Sequence, residues 1–192
     1  MSSILKVDQL QDSGGNAIIT SNGSGTFTSS LPNTGITMAD QWRLTADFTG
    51  NAEPITSNLE RNDTQFSVIG TGMTESSGIF SFPSTGIYLV RFYHFFKFKD
   101  GNGLSRAFQI KYTSDNSSYS ALATGNRNGL DEGKDIRSVE AIIDVTDISN
   151  VKVQFTVEET STNDVTFGNS TKNETFMTFI RLGDTWWQIE IT

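Results

Sequence analysis

A hydrolytic triad needs a histidine free to carry a proton between nucleophile and leaving group, and the chain holds one histidine, His94. It sits inside Gly86-Ile87-Tyr88-Leu89-Val90-Arg91-Phe92-Tyr93-His94-Phe95-Phe96-Lys97-Phe98, the most hydrophobic run of the sequence. There it reads as a packed or interface side chain and not as a general base. Glycosidase chemistry needs two carboxyl groups facing each other across a sugar. The adjacent pairs Asp131-Glu132 and Glu158-Glu159 cannot supply them from a strand, because successive side chains point to opposite faces. No phosphate-cradling loop or dinucleotide fingerprint precedes a helix, and the absence of cysteine excludes thiol catalysis, Cys-ligated zinc and disulfides. Oxygen ligands for calcium gather at Asp100-Gly101-Asn102-Gly103 and Asn163-Asp164. Neither run has the loop spacing of a helix-loop-helix calcium site, so both read as solvated turns. The residues thus point away from an enzyme and assign no catalytic group, cofactor or metal.

Recognition chemistry fits better. Trp186-Trp187 would send its two indoles to opposite sides of a strand, where either one ring meets a ligand or another chain or both pack between two sheets. Polar loops supply candidate contact residues: Asp100 and Asn102 in Asp100 to Leu104, then Asp115, Asn116 and Tyr119 in Ser114 to Tyr119, then Asn126, Arg127 and Asn128 in Gly125 to Gly133. Loops on a rigid scaffold are where such contacts concentrate. The formal charge of −8 disfavours nucleic acid as a partner. No apolar run is long enough to insert in a membrane, and the opening MSSILKVDQLQDSGG lacks the pattern of a signal peptide. Synthesis in a cytoplasm is therefore expected.

The elements that position these residues are strands. Val151 to Glu158 alternates apolar and polar groups with a period of two, as a strand half exposed to water, and Phe176, Thr178, Ile180 and Leu182 alternate with Thr175, Met177, Phe179 and Arg181, as a strand covered on both sides. Further strands are expected at Gln41 to Phe48, Phe66 to Ile69, Gly78 to Phe82, Arg106 to Thr113, Val139 to Val145 and Trp186 to Ile191, with Gly86 to Phe98 as the central one. Leu130 to Ile143 alone competes as a helix, with Gly133 and a β-branched run against it. Many short strands at this spacing mean an all-β sandwich or barrel. Residues 1–36 differ in texture. Ile4 to Leu10 and Ala17 to Thr20 flank Asp12-Ser13-Gly14-Gly15 as a hairpin, too small to be stable by itself. That leaves residues 37–192 as the head, with 184–192 as an extension.

Gly78-Ile79-Phe80-Ser81-Phe82-Pro83-Ser84-Thr85-Gly86-Ile87-Tyr88-Leu89-Val90 and Thr175-Phe176-Met177-Thr178-Phe179-Ile180-Arg181-Leu182-Gly183 resemble the central and last strands of a known fold. It is the jelly roll shared by the globular head of complement's first component and by tumour necrosis factor. Ser3 to Asn16 resembles the opening of fibre and other structural proteins of tailed bacteriophages, notably marine ones. Together the resemblances imply a virion protein: a homotrimeric jelly-roll head preceded by an N-terminal β-hairpin anchor, acting in host-surface attachment. A capsid decoration protein or head fibre is the alternative, and a polysaccharide-degrading enzyme the third. On this reading the trimer interface holds Tyr88, Val90, Phe92, His94, Phe96, Met177, Phe179, Trp186 and Trp187. The anchor holds Ile4, Leu5, Val7, Leu10, Ile18 and Ile19, docking on other virion proteins, and the host partner is a surface glycan or protein.

Overall fold

The computed structural model describes residues 7–29, 35–64, 67–98, 104–129, 133–159 and 163–185. The chain divides into two compact units, Met1–Gly35 and Ile36–Thr192. All regular structure in the described residues is β.

In the first unit three strands form a meander: β1 (Gln9–Gln11), β2 (Ala17–Ser21) and β3 (Phe27–Ser29). The expected hairpin thus gains a third strand, returned by the Asn22-to-Thr26 turn, in which Asn22 accepts from the Ser24 and Thr26 amides. At the first turn the Asp12 carboxylate accepts from the amides of Gly14 and Asn16, which holds it below the usual carboxylate range. Leu10 pairs with Ile19, and Phe27 with Ser21, so the apolar groups share one face of the ribbon.

The second unit is a sandwich built from β4 (Ala39–Leu44), β5 (Phe48–Thr49), β6 (Leu59–Arg61), β7 (Thr74–Ser76), β8 (Ile79–Ser81), β9 (Gly86–Phe98), β10 (Leu104–Thr113), β11 (Ser120–Gly129), β12 (Gly133–Val145), β13 (Lys152–Glu159), β14 (Val165–Thr166) and β15 (Phe176–Gly183). One sheet has the order β11-β10-β13-β8-β7. The other runs β5-β14-β9-β15-β4-β6, with β12 along the opposite side of β9. All the pairings are antiparallel. This is the all-β jelly-roll sandwich the sequence implies. β9 is central as expected, bonded to β12 on one side and to β14 and β15 on the other.

Several expectations fail locally. Of the strand expected at Phe66 to Ile69, Phe66 lies outside the described residues and residues 67–69 form no strand; Ile69 makes one isolated bridge to Ala39. Gly125 to Gly133, expected as a loop, is largely strand, because β11 runs through Gly125 to Gly129. Gly125 is required there: a Cβ would stand 2.2 Å from the ring of Phe108, which lies against that backbone. The helical spacing of Ile136, Val139 and Ile143 dissolves into β12, paired with β9 along its whole length. The polar side of Val151 to Glu158 is not half exposed, since Gln154 and Thr156 are buried.

The core lies between the sheets. Val153, Phe155 and Val157 of β13 face Tyr88, Val90 and Phe92 of β9 and Met177 and Phe179 of β15, all buried. Phe80, Phe92, Phe155 and Phe179 form a ring cluster with centroids 5.1 to 5.9 Å apart, and each such contact adds about 0.5–1.5 kcal/mol beyond burial alone.

Candidate functional site

Where the sequence-predicted residues fall decides which surfaces are free to act. Tyr88, Val90, Phe92, His94, Phe96, Met177 and Phe179 all have 0% exposure. They fill the core of a single chain, so they do not form the interface assigned to them. The physical reason is parity: the buried residues of β9 alternate with Ile87, Leu89, Arg91, Tyr93, Phe95 and Lys97, and Arg91 and Lys97, with no buried carboxylate paired to them among the described residues, mark that second set as the outer face. Trp186 and Trp187 lie outside the described residues.

His94 shows how complete this interior is. Its Nε2 lies 2.9 Å from Thr166 Oγ1, and its ring stacks on Phe96 at 4.8 Å and on Phe92 at 6.1 Å. Nδ1 is buried without a hydrogen-bond partner. Burial, with the nearby Arg106 guanidinium adding to it, lowers its pKa to about 3, so the ring is neutral at ordinary pH. Beside it Arg106 of β10 pairs with Asp164 at 2.6 Å, both side chains at 0% exposure. The Arg106 guanidinium also donates to the carbonyl of Lys97 and lies over the Phe96 ring. Asn163-Asp164 is therefore no solvated turn: Asp164 is a buried counter-ion. Two further buried polar hubs carried no signal in the sequence. Asp40 accepts from the Met73 amide, Trp42 Nε1 and Arg61 Nε. Arg43 donates to Asn62, Asp63, Thr64 and Glu60.

The candidate ligand residues do not converge. Asp100 and Asn102 lie outside the described residues, between the end of β9 and the start of β10. Asp115, Asn116 and Tyr119 follow Thr113, at the far end of β10. A strand of 10 residues spans roughly 33 Å, so the two ends of β10 that these runs adjoin in sequence lie far apart. Asp115 is committed locally: it accepts from the amides of Ser117 and Ser118 and from the Thr113 hydroxyl, which holds its carboxyl far below the usual range. Burial raises the Tyr119 phenol. Asn126, Arg127 and Asn128 belong to β11, where Arg127 pairs with Asp135 across to β12. Among the described residues no group of His, Cys, Asp and Glu is placed to hold a metal ion. Of the anchor residues, Ile4 and Leu5 lie outside the described residues, Val7 and Leu10 are exposed, and Ile18 and Ile19 are half-buried.

The surface the sequence reading missed is the outer face of the seven-stranded sheet. Cross-strand pairing aligns Ile142, Leu89 and Ile180 in one row, Ser138, Tyr93 and Phe176 in a second, and Ile136 and Phe95 in a third. Tyr93 stacks on Phe176 with centroids 4.4 Å apart and planes at 8°, and Phe95 meets Phe167 at 4.9 Å. Ile136 and Ile142 are 54% and 65% exposed. Between the first and second rows Arg91 is bridged by Glu140, and charge also stands at the margins of the face, at Asp144 opposite Ile87, at Arg43 beside Phe176, and at Lys97 and Lys134, the last with its ammonium 4.6 Å from the Phe167 ring. Contiguous apolar rows of this kind mark interaction surfaces. The signal was present in the sequence as the odd-numbered half of Gly86 to Phe98.

No family model matches the chain, and no curated protein matches it by sequence. Solved structures do. The chain is similar to Eiger TNF from S. frugiperda at a TM-score of 0.60 and 11% identity, covering 82% of this chain and 100% of that one. It is similar to murine APRIL in structures at pH 8.5 and pH 5.0, at TM-scores of 0.55 and 0.56 and 11% identity, covering 76% of this chain and 98% of theirs. At that identity the likeness is one of fold: the chain folds as a tumour-necrosis-factor-like jelly roll.

Proposed function

We propose that the chain is a non-enzymatic virion protein whose head self-associates as a homotrimer and acts in host-surface attachment, with the N-terminal unit docking on other virion proteins. One observation carries this reading: the aromatic and aliphatic rows on the outer face of the seven-stranded sheet, with Ile136 and Ile142 more than half exposed. Leaving such rows in water forgoes about 25 cal/mol for each Å² of apolar surface that a partner would cover. A symmetric closed assembly of the same chain is the commonest way for soluble proteins to cover such a surface. Three copies on one rigid head would also turn weak contacts into avid ones.

The N-terminal ribbon supports the second half of the reading. Leu10 and Phe27 are 52% and 67% exposed on its apolar face, and a short ribbon with no core needs a partner to be stable. Its resemblance to the opening of tailed-phage structural proteins makes that partner a virion component.

The test is to label the protein with antibody on intact particles and image where it sits. Signal at the tail or its fibres supports attachment. Signal spread over the shell replaces attachment with capsid decoration.

A further inference from the structure

Beneath the start of β4, at the end of the sandwich where β15 finishes, lies a cavity of about 320 Å³ lined by Thr37, Met38, Thr71, Pro83, Ser84 and Arg181. That volume falls at the lower end of the roughly 300–1,000 Å³ typical of small-molecule sites, and its lining is more polar than most. Arg181 is its only cation, Thr37, Thr71 and Ser84 bring hydroxyls, and Met38 and Pro83 bring apolar surface.

Arg181 is built into place. Its Nε and Nη2 both donate to the carbonyl of Thr85 at 3.2 Å, and its side chain is 17% exposed. Gly86 makes the room: at φ +147° it occupies a conformation that favours glycine, and a Cβ there would stand 2.6 Å from Arg181 Nε. Nη1 has only a long contact, 3.5 Å to Thr37 Oγ1. The one acid paired with the guanidinium is Asp184, which is 80% exposed. An ion pair with so exposed a partner is weak and readily exchanged. A guanidinium fixed at the edge of a small cavity, with a surface carboxylate held in exchangeable contact, matches a site for an incoming carboxylate, because planar guanidinium and carboxylate groups pair through two parallel hydrogen bonds.

We propose that this cavity binds a carboxylated sugar residue. Arg181 takes the sugar's carboxylate in place of Asp184, the hydroxyls of Thr37, Thr71 and Ser84 meet the sugar's hydroxyls, and Met38 and Pro83 lie against its C–H surface. The ligand class rests on the reading of the head as an attachment module, while the carboxylate site follows from the cavity alone.

The experiment titrates the full chain, by NMR or calorimetry, with glucuronate, glucose and acetate. Glucuronate should bind more tightly than either of the others, since glucose lacks the carboxylate and acetate lacks the hydroxyls. R181Q should weaken glucuronate about tenfold or more, as expected for loss of a charged hydrogen-bonding partner. D184N, at an exposed position that leaves the fold intact, should strengthen it by up to about fivefold by removing the internal competitor. The opposite signs keep the test sharp even if R181Q folds poorly. Equal binding of glucuronate and glucose, or unchanged or weakened binding in D184N, overturns the site; equal binding of acetate and glucuronate overturns the sugar assignment. Particle adsorption in the presence of excess glucuronate separates the two readings. Selective binding of glucuronate in solution with adsorption undiminished keeps the site and its ligand class, and overturns its role in attachment.

Discussion

On the five-stranded sheet the side chains turned outward are Gln109 and Lys111 of β10, Thr124 and Asn126 of β11 and Gln154, Thr156 and Glu158 of β13, aligned across strands by their register. On the seven-stranded sheet the equivalent positions carry Leu89, Tyr93 and Phe95 of β9, Phe176 and Ile180 of β15, and Ile136 and Ile142 of β12, crossed by one polar row of Arg91, Glu140 and Thr178. Both faces cover the same core, and both are set by the same two-residue period. The difference between them is that the first face covers its central polar groups, Gln154 and Thr156, within one chain, while the second leaves Ile136 and Ile142 exposed for protein to cover. It also separates what the fold needs from what the function needs: the inward halves of β9 and β15 would build a sandwich whatever lay outside, so the aromatic rows outside are surplus to folding.

Charge placed on the apolar face should have the largest effect. Ile136→Glu with Ile142→Glu, both substituting exposed side chains, should raise the dissociation constant of the assembly by about a thousandfold or more, because two aliphatic anchors are lost and two charges must be desolvated. Sedimentation should then report single chains with an unchanged circular dichroism spectrum. The comparison assumes an intact sandwich beneath both faces, and the next effect fixes that baseline. Asp164→Ala strands the buried Arg106 guanidinium and should cost about 3–5 kcal/mol in denaturant unfolding; a cost below about 1 kcal/mol, the range of exposed pairs, would mean the pair is not buried.

Acid behaviour should come from the interior and from neither face. The folded pKa of His94 is about 3, against the ordinary histidine value of 6.5. Its neutral form therefore adds stability that is fully present above pH 6.5 and is lost as the pH falls from 6.5 toward 3, at up to about 1.4 kcal/mol for each unit. Unfolding at pH 7 and pH 5 should differ by roughly 2 kcal/mol from this group, and His94→Phe should remove that part of the slope. An unchanged slope in the variant would contradict a buried neutral ring. Smaller still, Tyr93→Ala should lose the stacking on Phe176, at about 1 kcal/mol in the dissociated chain. Thr124→Glu on the polar face should leave the assembly mass unchanged and stability within about 0.5 kcal/mol.

Much of this architecture is legible in the sequence because it rests on local pattern. β9 is found at its full length, since a run of β-branched and aromatic residues bounded by turn glycines allows little else. β11 is missed because Gly125, Asn126, Asn128 and Gly129 have poor strand propensity, and only the Phe108 ring and pairing with β10 hold them extended. Face assignment was within reach: Arg91 and Lys97 mark the outside of β9 by parity alone. The networks around Asp40, Arg43 and Asp164 were not, because their partners lie at separations of up to 58 residues, which no local period encodes. The same is true of Arg181 and Thr37, 144 residues apart, which only the pairing of β15 with β4 brings to one cavity.

The most direct test of the central claim, that the apolar face is where copies of this chain meet, is the mass of the unmodified protein by sedimentation equilibrium from nanomolar to micromolar concentration. The account predicts three times the 21.1 kDa of one chain at micromolar protein, abolished by the paired glutamates at Ile136 and Ile142. A single-chain mass at micromolar protein would contradict it.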